Sequence, residues 1–203
     1  MNKIRIEERF TVTGDKSPYS VDCTRDDLAV LFGELGYTVG AEIGVHFGHY
    51  SKVLFDNVPN LKLYCVDPWG YYKTEKVITP KLIMNRYVYA VVFLSQFNSE
   101  LMRMTSEEAA KIVPDGSLDF VYIDALHDYD NVLLDITLWE KKVRIGGIVS
   151  GHDYMPGYRR HKHYVIEAVV EYVREHNIPC YYVTKTGPDW RTAYSPSWFW
   201  IKE

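Results

Sequence analysis

Short apolar runs and helix-spaced apolar positions take turns along this chain. Leu28, Leu31, Phe32 and Leu35 recur at helical intervals behind Thr24-Arg-Asp-Asp27, which has capping-box spacing, and Gly36 follows. Val39 to Ile43 is a strand-length apolar run, and Val53, Leu54 and Val58 then predict a helix. A second run spans Leu61 to Val66. Thr79-Pro80 reads as the cap and first residue of a helix carrying Ile83, Tyr87, Val91, Leu94 and Phe97. Glu100 to Met104 is a third strand, and Ser106-Glu-Glu-Ala opens a short helix with acids in its first turn. Leu118 to Ile123 is nearly continuous in apolar residues, as expected of a strand covered on both faces. Val132, Ile136, Trp139 and Val143 give the next helix its core face, with Gly146-Gly147 ending it and Ile148 to Ser150 opening a fifth strand. Val165, Val169 and Val173 mark one more helix. Cys180 to Thr184 and Trp198 to Ile201 close the chain without room for a helix between them.

Five alternations of strand and helix predict an α/β fold, a doubly wound and mainly parallel sheet with helices on both faces. The closing pair lacks a crossover and so brings an antiparallel strand near the C-terminus, making seven strands in all. No repeat, linker or low-complexity stretch divides residues 1–203, which read as one domain. Residues 1–22, with Ser17-Pro18-Tyr19, form an irregular or partly stranded lead-in.

Composition narrows the class. Hydrophobic residues are 47% and charged residues 25% of 203, a globular balance in a chain long enough for a core without disulfide support. The longest apolar run, Tyr87 to Leu94, falls well short of the ~20 residues that span a bilayer. Met1 to Phe10 lacks an apolar core of signal-peptide length, and Cys23, Cys65 and Cys180 are widely spaced and odd in number, so reduced cysteines in a cytoplasmic protein are expected. A net charge of −4 argues against a nucleic-acid platform. A homo-oligomer is compatible with this composition.

The chemistry gathers first at Gly40-Ala-Glu-Ile-Gly-Val-His-Phe-Gly-His-Tyr-Ser51. Gly44 and Gly48 bracket a turn between strand and helix, where backbone can approach a ligand closely, and Asp67 ends the next apolar run 23 residues after Gly44. A carboxylate there can accept from ribose hydroxyls. The turn reads E-x-G-x-x-x-G and lacks the middle glycine of a G-x-G-x-x-G dinucleotide turn, which disfavours an NAD-dependent oxidoreductase. In this the sequence resembles the class I S-adenosylmethionine-dependent methyltransferases, whose first motif has that spacing and whose second strand ends in an acid. The resemblance implies a Rossmann-like sheet. It also implies cofactor contacts from Glu42, Gly44, Val45, His46, Phe47, Gly48 and Ser51, from Asp67, Pro68 and Trp69, from Thr105 and Ser106 near the adenine, and from Asp124. Glu42 could instead hold the turn, and Ser106 could be a plain helix cap.

Ile-Asp124-Ala-Leu-His127-Asp-Tyr and Gly-Gly-Ile-Val-Ser-Gly-His152-Asp153-Tyr resemble one branch of that superfamily, small-molecule O-methyltransferases including those that methylate macrolide sugars, with cephalosporin-hydroxylase-like relatives. The branch implies a divalent cation, Mg²⁺ or Mn²⁺, at Asp124, His152 and Asp153, and His127 as the base that removes the acceptor's hydroxyl proton. His152 stands where an acid is usual, which leaves it as a ligand for a softer cation, a rival base or a partner of Asp153. Without the resemblance, Asp124 and Asp153 could cap helices and His127 could be a solvated loop residue. Tyr158-Arg-Arg-His-Lys-His163 is the strongest basic run, where Arg159 and Arg160 could grip an anionic group, and Trp69, Tyr71, Tyr72 and Trp190 could stack on a sugar or aromatic ring. The expected reaction is methyl transfer to a hydroxyl of a sugar or other small molecule. A cofactor-binding module without catalysis and an RNA methyltransferase are the remaining alternatives.

Overall fold

In a computed structural model of the chain, described over residues 5–70, 79–156, 164–186 and 195–203, the alternating pattern becomes one nine-stranded sheet flanked by six α-helices. In chain order these are β1 (Val12–Thr13), β2 (Tyr19–Val21), α1 (Arg25–Glu34), β3 (Val39–Ile43), α2 (His49–Asn57), β4 (Lys62–Val66), α3 (Pro80–Leu94), β5 (Ser99–Met102), α4 (Ser106–Ile112), β6 (Leu118–Ile123), α5 (Tyr129–Trp139), β7 (Val143–Gly151), α6 (Val165–Glu175), β8 (Tyr182–Thr184) and β9 (Trp198–Ile201). The sheet order is β1-β2-β8-β9-β7-β6-β3-β4-β5. From β5 across to β7 every pairing is parallel, and β9 runs antiparallel between β7 and β8. The seven expected strands thus lie side by side. The lead-in adds two more, with β2 parallel to β8 and β1 antiparallel to β2.

Side-chain alternation along the strands divides the core into two layers. Phe120 and Tyr122 of β6 face α1 and α2 with Phe32 and Leu54, whereas Val121 and Ile123 face α4, α5 and α6 with Ala109, Ile136 and Val169. All nine are 5% exposed or less. Burying both faces of β6 explains its nearly continuous apolar run.

The predicted caps hold at α1 and α3. Thr24 and Asp27 form a reciprocal capping box, and Thr79 accepts from the Leu82 amide with Pro80 as the first helical residue. Two local readings change. Thr105, not Ser106, caps α4 through a box with Glu108. Helix α5 ends at Trp139, and Val143 belongs to β7, where it pairs with Leu118 while Ile148 pairs with Phe120. Gly146-Gly147 therefore sits in an irregularity of the strand rather than at a helix end. Helical spacing continued past the true terminus because Val143 faces the same core as Trp139.

Order reverses between β3 and β6, since β4 and β5 lie to one side and β7 to the other. In open parallel sheets that switch point leaves a crevice beyond the carboxyl ends of the strands.

Candidate active site

Strand β3 ends at Ile43, and the chain turns at once through Gly44, at φ +94°. A Cβ on Gly44 would stand 2.1 Å from the Asp124 carbonyl oxygen, so only glycine lets the loops after β3 and β6 touch. The Gly44 amide donates to the Val66 carbonyl and the Asp124 amide to the Ile43 carbonyl, which ties the ends of β3, β4 and β6 together. His46, Trp69 and Asp153 adopt left-handed backbone conformations at φ 54°, 39° and 53°. Such conformations cost on the order of 1–3 kcal/mol each in residues other than glycine, and here all three lie around one crevice.

The Asp67 carboxylate holds the turn. One oxygen accepts from the His46 amide at 2.9 Å and the other from the Trp69 amide at 2.6 Å, while the Trp69 indole donates back to the His46 carbonyl. Glu42 lies beneath the turn, 2% exposed, with the Ser51 hydroxyl donating to it. Burial pushes its carboxyl up to about 8. Glu42 and Ser51 therefore brace the cradle from below. Val45 is packed in the core, Phe47 lies edge-on to Tyr89 of α3, and Gly48 caps α2 at φ +81°.

Two cavities meet above this turn and share Gly44, Ala125 and Leu126. The first, about 160 Å³, is bounded by Pro68, Thr105, Ser106 and Asp135. The second, about 110 Å³, is bounded by His46, Asp67, Trp69, Arg86 and Asp124. Together they form a cleft running from the start of α4 to the end of β6.

At the far end of the cleft stands a cluster of charges. His127 Nε2 lies 3.0 Å from Asp153 Oδ2 and 3.4 Å from Asp124 Oδ1. His152 Nδ1 lies 3.3 Å from Asp153 Oδ1 and 3.6 Å from Asp124 Oδ1. Arg25, behind the Tyr50 ring, reaches Asp124 Oδ2 at 3.6 Å. Burial opposes charge on both imidazoles, yet hydrogen bonds and charge from the two carboxylates prevail, raising His127 to about 10 and His152 to about 9. Burial also opposes charge on the carboxylates, but the imidazoles hold both below the usual range, Asp153 strongly so. The two carboxylates thus hold His127 as an imidazolium at neutral pH.

One donor atom from each of Asp124, His152 and Asp153 falls within 4.8 Å of the others. Two carboxylate oxygens and an imidazole nitrogen converging from adjacent loops fit a divalent cation, with His152 Nδ1 already facing both carboxylates. Asp124 and Asp153 are not helix caps; Asp128 caps α5.

Sequence reasoning missed three residues of the site. Arg25 follows a capping Thr and looks like surface charge. Arg86 sits beside Asn85 on a mainly apolar helix. Asp135 adjoins Ile136 on the buried side of α5, and a carboxylate there, 4% exposed, is the one anomaly a pattern reading could have caught. Tyr71, Tyr72, Arg159, Arg160, Trp190 and the run Tyr158 to His163 lie outside the described residues.

Residues 41–154 match a family described as Methyltransferase domain. The chain also resembles solved structures. Cofactor-bound Rv0187 from MTB superposes with a TM-score of 0.62 at 17% identity over 88% of this chain and 79% of that one. An O-methyltransferase from Bacillus cereus in complex with SAH gives 0.61 at 14% identity, over 87% and 80%. TomG from Streptomyces achromogenes, an O-methyltransferase of tomaymycin synthesis in complex with SAM, gives 0.61 at 14% identity, over 88% and 80%. No curated protein matches the sequence. Among the described residues no helix is long and apolar enough to cross a membrane.

Proposed function

The chain belongs to the methyltransferase-domain family, and from that premise we propose that it transfers the methyl group of S-adenosylmethionine to a hydroxyl of a small molecule, a sugar hydroxyl being the favoured class. The observation that carries this reading is the continuous cleft from Ser106 to Asp124, which ends at a cluster of acid and imidazole groups. Adenosine would lie in the first cavity, with Pro68, Thr105 and Ser106 beside the base and Asp67 near the ribose. The methionine end would lie along Gly44 and His46, bringing the sulfonium toward Asp124. An NAD-dependent oxidoreductase is displaced by the family match. The net charge of −4 favours a small acceptor over RNA.

Transfer is a direct displacement. The acceptor oxygen forms a bond to the methyl carbon, the carbon–sulfur bond breaks, and its electron pair stays on sulfur as the neutral thioether. The protein aligns oxygen, methyl and sulfur and receives the hydroxyl proton at His127 Nε2. A divalent cation held by Asp124, His152 and Asp153 would lower the pKa of the hydroxyl and offset the carboxylate charge that keeps His127 protonated. Imidazole in the donor set suits Mn²⁺ better than Mg²⁺. Three unpaired cysteines accord with a cytoplasmic site of action.

The test is methyl transfer from labelled S-adenosylmethionine to rhamnose-like sugars, catechols and RNA, with and without chelator. Label entering a small hydroxyl acceptor, and falling with chelator, is the expected result. Label entering RNA alone would overturn the acceptor class, and full turnover in chelator would remove the cation.

A further inference from the structure

Asp135 lies on α5, away from the charge cluster, and borders the first cavity. It is 4% exposed, and among the described residues no Lys, Arg or His pairs with it. Its polar contact runs through Ser106. The Trp139 indole, which can only donate, donates to Ser106 Oγ at 2.8 Å, so the hydroxyl's single proton goes to Asp135 Oδ1. Oδ2 accepts no hydrogen bond from the described residues. Asp135 borders the cavity, and Oδ2 is free to take a donor there, from water or from a ligand. The family's glycine turn, Asp67 and the charge cluster do not call for this residue.

We propose that Asp135 is a specificity residue for the purine of the methyl donor, accepting a hydrogen bond at Oδ2 from the exocyclic 6-amino group. The inference rests on the reading that the adenosine end of the donor occupies the first cavity. A 6-amino group is a donor and a 6-oxo group an acceptor, so an acceptor wall at this point selects adenine over hypoxanthine. Burial raises the Asp135 carboxyl to about 6, and the charges that reach it, Glu107 and Asp128, act in the same direction. A bound amine would favour the ionised form.

The hydrogen-bond order also fixes what an isosteric change does. In Asp135→Asn the amide oxygen takes the Ser106 proton and the NH₂ stands where Oδ2 was, turning the acceptor wall into a donor. Calorimetry with S-adenosylhomocysteine and its 6-oxo analogue S-inosylhomocysteine reads this directly. Wild type should prefer the adenine ligand by about 10- to 100-fold, the range for a hydrogen bond to a charged group. Asp135→Asn should lose that preference or reverse it. For wild type, affinity for the adenine ligand should rise as pH passes upward through about 6, as Asp135 ionises, while affinity for the 6-oxo ligand does not rise. This second readout stands even if the variant does not fold. An unchanged preference in folded Asp135→Asn, or a wild-type preference independent of pH from 5 to 7.5, would overturn the proposal and leave Asp135 as a brace between α4 and α5. Binding of neither ligand by wild type would instead sink the donor reading beneath it.

Discussion

Substituting Gly44 by alanine tests how the site is held together, because the methyl group has nowhere to go. Its Cβ would lie 2.1 Å from the Asp124 carbonyl oxygen, 2.5 Å from the carbonyl carbon and 2.8 Å from the Ala125 Cα, all backbone atoms that no side-chain rotation relieves. Restoring ordinary contact means parting the two loops by more than about 1 Å. That movement weakens the Asp124-to-Ile43 hydrogen bond, 2.7 Å long, and the Gly44-to-Val66 bond, 2.8 Å long. Left-handed backbone alone costs alanine about 1–2 kcal/mol. Two compromised hydrogen bonds add about 1–3 kcal/mol, so Gly44→Ala should lose about 2–5 kcal/mol. Gly36→Ala isolates the conformational part, since Gly36 has φ +69° and nothing within 4 Å of its Cβ position. Urea denaturation of both variants should show Gly44→Ala as the less stable by at least about 1 kcal/mol. What remains folded should turn over poorly, because Asp124 has moved. Equal losses in the two variants would refute the close approach of the loops.

Glu42→Gln should flatten the pH dependence of stability. The carboxyl titrates at about 8 in the fold and near its ordinary value when unfolded, so the folded state holds the extra proton between those limits and stability falls as pH rises through that window. The loss between pH 4.5 and 7 is about 3 kcal/mol, and denaturation midpoints for the variant should lack it. His127→Ala should lower turnover at saturating acceptor by about 10²–10⁴ while S-adenosylhomocysteine affinity stays near wild type. If His127→Ala keeps its rate and His152→Ala loses it, the two imidazoles exchange roles.

The sheet was legible because β3, β4, β6 and β7 are buried on both faces and α1 and α3 carry caps that local sequence encodes. The lead-in was legible only as partly stranded, since Val12–Thr13 and Tyr19–Val21 are too short to show a period and owe their state to pairing, β2 with β8 and β1 with β2. Asp67 was found from spacing alone, although its grip on the His46 and Trp69 amides is tertiary. His127 entered only through the resemblance, and its charge state depends on Asp153, 26 positions later, and so could not be read there. Arg25 shows the same limit. A helix start reads as a cap until the fold lays it against Asp124.

The claim that the crevice beyond β3, β4 and β5 is a methyl-donor site is tested most directly by titrating the wild-type protein with S-adenosylhomocysteine and, separately, with NAD in a calorimeter. Saturable heat from S-adenosylhomocysteine at one site per chain, with none from NAD, is the predicted result. Heat from NAD and none from S-adenosylhomocysteine would contradict it.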